Sequence, residues 1–257
     1  MSAEAPRLLN GRVALVTGAG RGIGRSIAIG LAAMGVATVL LARSQDELDE
    51  VASTIAAVGG AALAVRADVA DRTQVASALD RARRELGPID IVINNAAVVW
   101  PVAPSTTIDI AEFAAAIEVN VIGAVALSLA AIPAMLERGW GRIVNVSSGV
   151  AGRPQLMTGA NAYVTSKAAL EAHTLNLAVE LSGSGVTANV YRPGGVDTAM
   201  QRWIRSQDPE KVGAALHERF VANYEGGSLI SPEESAASLL RRLSSDATGE
   251  IWDVQDR

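Results

Sequence analysis

An alternation of apolar runs with helical segments is the feature of this sequence that most constrains its fold. Its first example is an apolar run at residues 13–16, followed by the glycine-rich stretch TGAGRGIG at residues 17–24, a helical segment that ends at a glycine, and a second apolar run at residues 38–41. Strand, turn, helix and strand in this order form a βαβ unit, whose two strands are parallel.

The same alternation continues to the end of the chain. Helices are predicted near residues 45–58, 71–86, 108–136, around YVTSK and at 231–243, and strands at 61–66, 89–93, 142–146, 186–191 and 249–254. No Pro/Gly/Ser-rich linker or internal repeat divides the sequence. We therefore expect an α/β chain that forms one domain over residues 1–257, with a Rossmann fold: a doubly wound, mostly parallel seven-stranded sheet with helices on both faces.

Residues 192–231 interrupt this alternation with a charged, irregular segment that directly follows a strand. Ligands of open α/β sheets bind beyond the carboxyl ends of the strands, so we interpret the segment as a lid over the substrate. Trp203, Ile204, Leu216 and Phe220 would form an apolar wall of the pocket, or alternatively the core of a lid helix.

Composition and charge exclude several classes of function. The 257 residues carry a net charge of −5, which disfavours nucleic acid as a partner. No uninterrupted apolar run reaches ~18 residues, and the start MSAEAPRLLNGR has no signal-peptide pattern, so we expect no membrane partner and a cytoplasmic location. The chain has no cysteine, and His173 and His217 stand apart, so we expect no metal.

The glycines between the first strand and the first helix predict a phosphate-binding turn. Without Cβ atoms, Gly18, Gly20, Gly22 and Gly24 let backbone N–H groups approach a pyrophosphate at the positive end of a helix.

The end of the second strand indicates which nicotinamide dinucleotide binds there. Ala42 occupies the position where an acid usually binds an unphosphorylated ribose, and Arg43 follows it. Arg21, within the glycine turn, is a second cation that could reach a 2′-phosphate. These residues favour NADP(H), with NAD(H) possible; alternatively both arginines face solvent.

Tyr163 and Lys167 lie one helical turn apart in YVTSK. Positions i and i+4 share a helix face, so the ammonium could lower the pKa of the phenol towards the working pH and make it an acid/base. On this pentapeptide alone, a solvent-facing tyrosine and lysine remain the alternative.

Several motifs in order and spacing resemble the short-chain dehydrogenase/reductase family, over residues 11–254. TGAGRGIG resembles the TGxxxGxG cofactor turn, Asp68-Val69 the acid that meets the adenine, and NNAA at 94–97 the NNAG element, with Ala97 in place of the usual glycine. Asn120 matches the asparagine of the long helix, Ser147-Ser148 the catalytic-serine strand end, YVTSK the YxxxK signature, and RPGGVDT at 192–198 the PG…T element.

The resemblance implies a site for hydride transfer between nicotinamide and a carbonyl or secondary alcohol. Tyr163 would be the proton donor or acceptor, Lys167 would lower its pKa and hold the ribose, Ser148 would bind the substrate oxygen, and Asn120 would position a relay water. The implied cofactor-binding residues are Gly18, Gly20, Arg21, Gly22, Ile23, Gly24, Arg43, Asp68, Val69, Asn95, Ala96, Tyr163, Lys167, Pro193, Gly194, Val196 and Thr198.

Three departures from the family pattern leave alternatives open. The spacing from Ser148 to Tyr163 is longer than usual, with the extra residues in GVAGRPQLMTGAN, so Ser147 is a second candidate for the catalytic hydroxyl. Ala97 should cause only a small local shift. The tail GEIWDVQDR lacks the VDGG-like ending of many tetramers.

Two other functions remain as alternatives. One is a 3-oxoacyl carrier-protein reductase, for which Arg153, Arg192, Arg202 and Arg205 could bind an acidic carrier, although solvated loop charges explain them equally well. The other is a non-catalytic nucleotide sensor or scaffold.

Small residues on the helices at 108–136 and around YVTSK predict a homodimer or homotetramer, because the family pairs these helices. The same faces could instead pack on the sheet.

Overall fold

Seven parallel strands form one sheet in the order β3-β2-β1-β4-β5-β6-β7 in the computed structural model, which describes residues 9–256. Every pairing between neighbours is parallel. The strands are β1 (Val13–Thr17), β2 (Ala37–Ala42), β3 (Ala62–Arg66), β4 (Ile91–Asn94), β5 (Gly141–Val146), β6 (Val186–Arg192) and β7 (Ile251–Asp253). The predicted Rossmann fold is confirmed, with a sheet that is parallel throughout.

Helices cover both faces of the sheet. They are α1 (Gly22–Ala33), α2 (Gln45–Ala57), α3 (Arg72–Glu85), α4 (Ile110–Ile117), α5 (Gly123–Arg138), α6 (Asn161–Glu180), α7 (Ala199–Arg205), α8 (Pro209–Val212), α9 (Ala214–Glu225) and α10 (Pro232–Leu240). Apolar residues of α1, α2 and α10 pack on one face. Those of α3, α5 and α6 pack on the other, so strands buried on both sides read as continuous apolar runs.

The chain crosses the sheet between β3 and β4. The strand β3 lies at one edge, and β4 returns beside β1 in the middle, so the connections after β1 and β4 lead to strands on opposite sides of this pair. A crevice at such a switch point is where open α/β sheets bind ligands.

The predicted long helix is interrupted by a π-helical turn at Glu118–Ile122, between α4 and α5. The helix as a whole spans Ile110–Arg138, and by length and apolar content it would also pass as a membrane span. In this fold α5 contributes Leu127, Ala131 and Met135 to the core against the sheet. Half of the most apolar 18-residue stretch within Ile110–Arg138 is buried.

The expectation of an irregular segment at residues 192–231 is wrong, because three helices, α7, α8 and α9, lie within it. Their apolar residues Ile204, Val212, Leu216 and Phe220 form a small third core together with residues that include Tyr163 of α6. The i, i+4 spacing of the last three carries a helical signal that the surrounding charges obscure. Trp203 is not part of this small core and lines the pocket.

The helix predicted at residues 231–243 begins where it was expected. The Ser231 hydroxyl accepts a hydrogen bond from the Glu234 amide at 3.0 Å, and Pro232 opens the helix. The helix ends at Leu240, three residues earlier than expected. Residues 1–8, which hold most of the N-terminal stretch used to predict the location of the chain, lie outside the described residues.

Candidate active site

The glycine turn between β1 and α1 is shaped by close backbone contacts. Gly18 and Gly22 have φ values of 63° and 55°, in the left-handed region. A Cβ on Gly20 would lie 2.8 Å from the Cβ of Glu47, and one on Gly24 would collide with the carbonyl oxygen of Gly18. Larger residues at Gly20 or Gly24 would therefore distort the turn.

The NNAA loop after β4 is fastened to this turn by Thr17. Its hydroxyl accepts hydrogen bonds from the amides of Asn95 and Ala96, both at 2.9 Å. The side chain of Asn95 donates back to the Thr17 carbonyl, also at 2.9 Å. The carboxyl ends of β1 and β4 thus hold one another in place.

One pocket of about 980 Å³ runs from the glycine turn to the region under the lid helices. Among the predicted residues, those that line it are Gly18, Gly20, Arg21, Gly22, Ile23, Arg43, Asp68, Val69, Asn95, Ala96, Ser148, Tyr163, Lys167, Pro193, Gly194, Val196 and Thr198. Gly24 and Asn120 do not line it; both lie behind its wall, the first because it packs against Gly18 and the second because it is buried.

At the end of the pocket where the sequence predicts the adenosine, two acids lie near the two arginines. Arg21 Nη1 lies 3.4 Å from Glu47 Oε1, and Arg43 Nη1 lies 3.9 Å from Asp68 Oδ2, with both pairs exposed. Sequence reasoning missed Glu47, although its position three residues after the helix-capping Ser44 places it in the first turn of α2, beside the glycine turn. Exposed pairs of this kind contribute little energy, about 0–1 kcal/mol.

Tyr163 and Lys167 are both buried at the middle of the pocket wall, so the solvent-facing alternative is wrong. Their side chains lie on one face of α6, with the ammonium 5.7 Å from the phenol ring centroid. Burial raises the pKa of Tyr163, although a hydrogen bond from Ser148 opposes it. The pKa lowering expected from Lys167 is therefore not found.

The ammonium of Lys167 has partners other than the phenol of Tyr163. Its ammonium donates a hydrogen bond to the Val146 carbonyl at 2.7 Å, at the end of β5. Burial lowers the pKa of Lys167 itself to about 8, partly offset by Glu171. At neutral pH the ammonium is thus mostly charged, and it interacts with the Val146 carbonyl and with Glu171.

The two serines after β5 are distinguished by their partners. Ser147 is buried, and its hydroxyl donates to Glu171 Oε1 at 2.8 Å. Ser148 lies on the pocket wall beside Tyr163. Its hydrogen bond with the phenol partly opposes the rise in the Tyr163 pKa that burial causes. The geometry favours Ser148 over Ser147 as the hydroxyl available to a substrate. The residues that lengthen the following segment form two 3₁₀ turns, Gly149–Ala151 and Pro154–Met157.

Asn120, in the π-helical turn, makes three side-chain hydrogen bonds to residues outside the turn. Its amide nitrogen donates to the Val98 carbonyl at 2.8 Å and to Ser166 Oγ at 2.9 Å, and its oxygen accepts from the Val98 amide at 2.8 Å. Both amide protons are therefore used. The side chain thus ties the loop after β4 to α6. That Asn120 positions a relay water stays a prediction.

A partly buried ion pair joins the end of β6 to α6, next to Ser147. Arg192, at the end of β6, donates from Nε and Nη2 to the two oxygens of Glu171 on α6, at 2.8 and 2.7 Å. The hydrogen bond with Glu171 raises the pKa of Arg192. Since Ser147 also binds Glu171, the ends of β5 and β6 are both fixed to the helix that carries Tyr163.

The burial of Lys167 predicts a pH-dependent stability. Between pH 8 and 10.5 the unfolded chain binds the Lys167 proton more fully than the folded chain, so this residue's contribution to stability rises with pH, by about 2–3 kcal/mol at pH 10. We expect the free energy of unfolding of the wild type, relative to Lys167→Met, to rise from pH 7 to pH 10 in urea titrations. Lys211→Met, on the exposed surface of α8, is the control. If the free energies of unfolding of wild type and Lys167→Met changed with pH in parallel, the lowered pKa of Lys167 would be contradicted.

Known proteins are similar to this chain over most of its length. The model of the short chain dehydrogenase family matches residues 12–209. The chain is 33% identical over 241 residues to 2,3-dihydro-2,3-dihydroxybenzoate dehydrogenase from Bacillus subtilis, covering 93% of this chain and 91% of that protein. It is 35% identical over 238 residues to cis-4-hydroxycyclohexanecarboxylate dehydrogenase from Sinomonas cyclohexanicum, covering 92% and 90%.

Two solved structures share the fold over nearly the whole chain. One is a putative NAD(P) dependent gluconate 5-dehydrogenase from Beutenbergia cavernae with bound NADP, with a TM-score of 0.83, 34% identity and 96% coverage of each chain. The other is a 7α-hydroxysteroid dehydrogenase complexed with NADH and 7-oxo glycochenodeoxycholic acid, with a TM-score of 0.85, 28% identity and coverage of 98% and 96%.

These matches confirm the resemblance found in the sequence and support a nicotinamide dinucleotide as the cofactor and a small molecule as the substrate. The chain belongs to the short-chain dehydrogenase/reductase family of oxidoreductases.

Proposed function

We propose that the protein is an NADP(H)-preferring oxidoreductase that transfers a hydride between nicotinamide and a carbonyl or secondary alcohol, with Tyr163 as proton donor and acceptor. The observation that carries the proposal is the single pocket of about 980 Å³, which joins the glycine turn to Tyr163 and Ser148. A volume of about 980 Å³ is at the upper end of the range for small-molecule and cofactor sites. The two relatives named above act, by their names, on 2,3-dihydro-2,3-dihydroxybenzoate and cis-4-hydroxycyclohexanecarboxylate, both small ring alcohols.

The glycine turn fits the cofactor because it has no side chains where the pyrophosphate lies. Gly18, Gly20 and Gly22 leave backbone N–H groups free to approach it at the start of α1. Pro193, Gly194 and Thr198 also line the pocket, with Thr198 beside Gly22 of the turn. When bound, the nicotinamide supplies or accepts the hydride.

The protein's own residues manage the proton. Ser148 donates a hydrogen bond to the substrate oxygen as charge develops there. Tyr163, whose pKa is raised by burial, is a neutral phenol at pH 7 and so is ready to donate its proton during reduction. In the oxidation direction the same group must first lose its proton, which higher pH favours. Lys167, which lines the same pocket, holds the ribose hydroxyls of the bound nucleotide.

The preference for NADP(H) rests on Arg21 and Arg43. Both guanidinium groups line the pocket, and their exposed contacts with Glu47 and Asp68 are long enough to exchange for a 2′-phosphate. Ala42, where an acid would accept a ribose hydroxyl, offers no such partner.

A titration with each dinucleotide tests the cofactor preference. Arg43→Asp should weaken NADPH binding at least tenfold, because an attractive charge becomes a repulsive one, while NADH binding stays equal or improves. Nicotinamide fluorescence gives both dissociation constants. The matched control is Arg66→Asp, which makes the same charge change at the exposed end of the neighbouring strand β3 and does not line the pocket. Equal losses for NADPH and NADH in Arg43→Asp would contradict the preference.

The carrier-protein reductase alternative is less well supported by the geometry. Of the four arginines considered for a carrier surface, Arg192 is paired with Glu171, and Arg202 and Arg205 both lie near Asp197, at 3.6 and 3.7 Å. Of these four, Arg153 alone forms no ion pair with the described residues. The other three guanidinium groups each lie near an acid, with Arg202 and Arg205 sharing Asp197.

We also propose that the protein assembles as a homodimer or homotetramer in the cytoplasm. Parts of the small-residue faces predicted from the sequence pack inward, such as Ala116, Ala124 and Ala131. Others are exposed beside large apolar side chains: Ile110 is 77% exposed, Leu129 54% and Val179 75%. The exposed alanines are Ala114, Ala130, Ala168, Ala169 and Ala172.

Light scattering at micromolar concentration tests the assembly. The wild type should have the mass of a dimer or tetramer, and Ala169→Arg on α6 should lower it, since a charge would be buried in an interface. Ala56→Arg, on the exposed side of α2, should leave the mass unchanged. A wild type with monomer mass would overturn the prediction.

A further inference from the structure

Two arginines at the substrate end of the pocket have no acidic partner. Among residues 9–256, the guanidinium groups of Arg153 and Arg219 form neither an ion pair nor a side-chain hydrogen bond, and both line the pocket that contains Tyr163 and Ser148. Their neighbours Arg192, Arg202 and Arg205 are each near a carboxylate. Among these five arginines, the two without an acidic partner are Arg153 and Arg219, and both line the pocket.

Arg219 is held in an apolar setting by the lid helix α9. Its guanidinium carbon lies 5.5 Å from the ring centroid of Phe220, which is buried in the small core with Tyr163. Partial burial lowers the pKa of Arg219, and no charge or hydrogen bond opposes that effect. A partly desolvated cation without a counter-charge is unfavourable and gains from an incoming anion. Asn223, one helical turn further, lines the same wall.

Arg153 approaches the pocket from the other side, in the segment after β5. It lies between the two 3₁₀ turns, and its Nη2 is 3.6 Å from the position of a Cβ on Gly149, the residue after Ser148. This is the stretch GVAGRPQLMTGAN whose extra length separates Ser148 from Tyr163. The added residues therefore bring a cation to the pocket near the catalytic hydroxyls.

The acids of the pocket lie elsewhere. Its acidic lining residues among the described part of the chain are Glu47 and Asp68 at the adenosine end and Asp253 in β7. One Asp253 oxygen accepts a hydrogen bond from the Gln255 amide at 3.2 Å, in the C-terminal tail. The rest of the substrate end is formed by apolar side chains such as Val99, Met157 and Trp203.

We propose that the substrate bears a carboxylate, which Arg219 and Arg153 bind while the apolar walls hold its carbon skeleton and Ser148 and Tyr163 face its carbonyl or hydroxyl group. The inference rests on the proposed function and narrows it to anionic substrates. The guanidinium fork suits a planar carboxylate, and a hydrogen bond between charged groups is stronger than one to a neutral amide.

Calorimetry with a matched pair of ligands tests the site without turnover. Cyclohexanecarboxylate and cyclohexanecarboxamide have the same ring and differ in charge. Titrated into the NADPH-saturated protein, the carboxylate should bind at least tenfold more tightly than the amide. Arg219→Gln and Arg153→Gln should each reduce that ratio and leave the amide's affinity nearly unchanged. Arg202→Gln, a lid arginine outside the pocket lining, should preserve it.

Further variants separate an anion site from a structural effect. If Arg219→Gln weakens the binding of both ligands equally, Arg219→Lys is measured next. A site that binds the carboxylate by its charge should regain part of the carboxylate preference in Arg219→Lys. Equal weakening of both ligands in Arg219→Lys overturns the proposal. Equal binding of carboxylate and amide by the wild type, or a preference that survives in both glutamine variants, also overturns it.

The same measurements distinguish this inference from the proposed function. Failure of the protein to bind either nucleotide would refute the proposed function, and the ligand pair would then be titrated without nucleotide. Nucleotide binding with faster reduction of 4-oxocyclohexanecarboxamide than of 4-oxocyclohexanecarboxylate would refute the carboxylate inference alone.

Discussion

The parallel direction of all seven strands is the constraint on which the site depends. Every strand delivers its carboxyl end to the same edge of the sheet, so the glycine turn after β1, the NNAA loop after β4, Ser148 after β5 and Pro193 after β6 meet in one pocket. Residues far apart in sequence thus become neighbours without long connecting loops. A sheet with one strand reversed at β5 would send Ser148 to the opposite edge.

Helix α6 is held against this edge by buried polar groups. Asn145 of β5 donates to Thr174 at 2.8 Å and accepts from Asn94 of β4 at 2.8 Å, which links two central strands to the helix. Nearer the pocket, Glu171 binds both Ser147 and Arg192. Polar groups buried in this way specify one arrangement, because breaking any bond leaves an unpaired partner in a low-dielectric interior. The positions of Tyr163 and Lys167 follow from that arrangement.

The sequence predicted the fold and the parts of the pocket lining at the glycine turn and around Tyr163, because these depend on local patterns. Apolar runs and capping residues mark strands and helix starts, and glycines mark the turn beside the cofactor. What depends on tertiary packing was not predictable: the π-helical turn at Asn120, the burial that raises the pKa of Tyr163, and the pairing of Arg192 with Glu171. Arg219 was missed because a charged residue in a charged segment gives no local sign that its helix faces a pocket.

The most direct test of the account is the rate of carbonyl reduction by Tyr163→Phe, measured with NADPH and the best carbonyl substrate of a screen. The change removes one hydroxyl from a buried ring and leaves the glycine turn intact, so NADPH binding should be nearly unchanged while the rate falls about 100-fold or more. Tyr224→Phe, at an exposed position of α9, should react like the wild type. A Tyr163→Phe protein that keeps most of its rate would show that another group supplies the proton and would contradict the proposed chemistry.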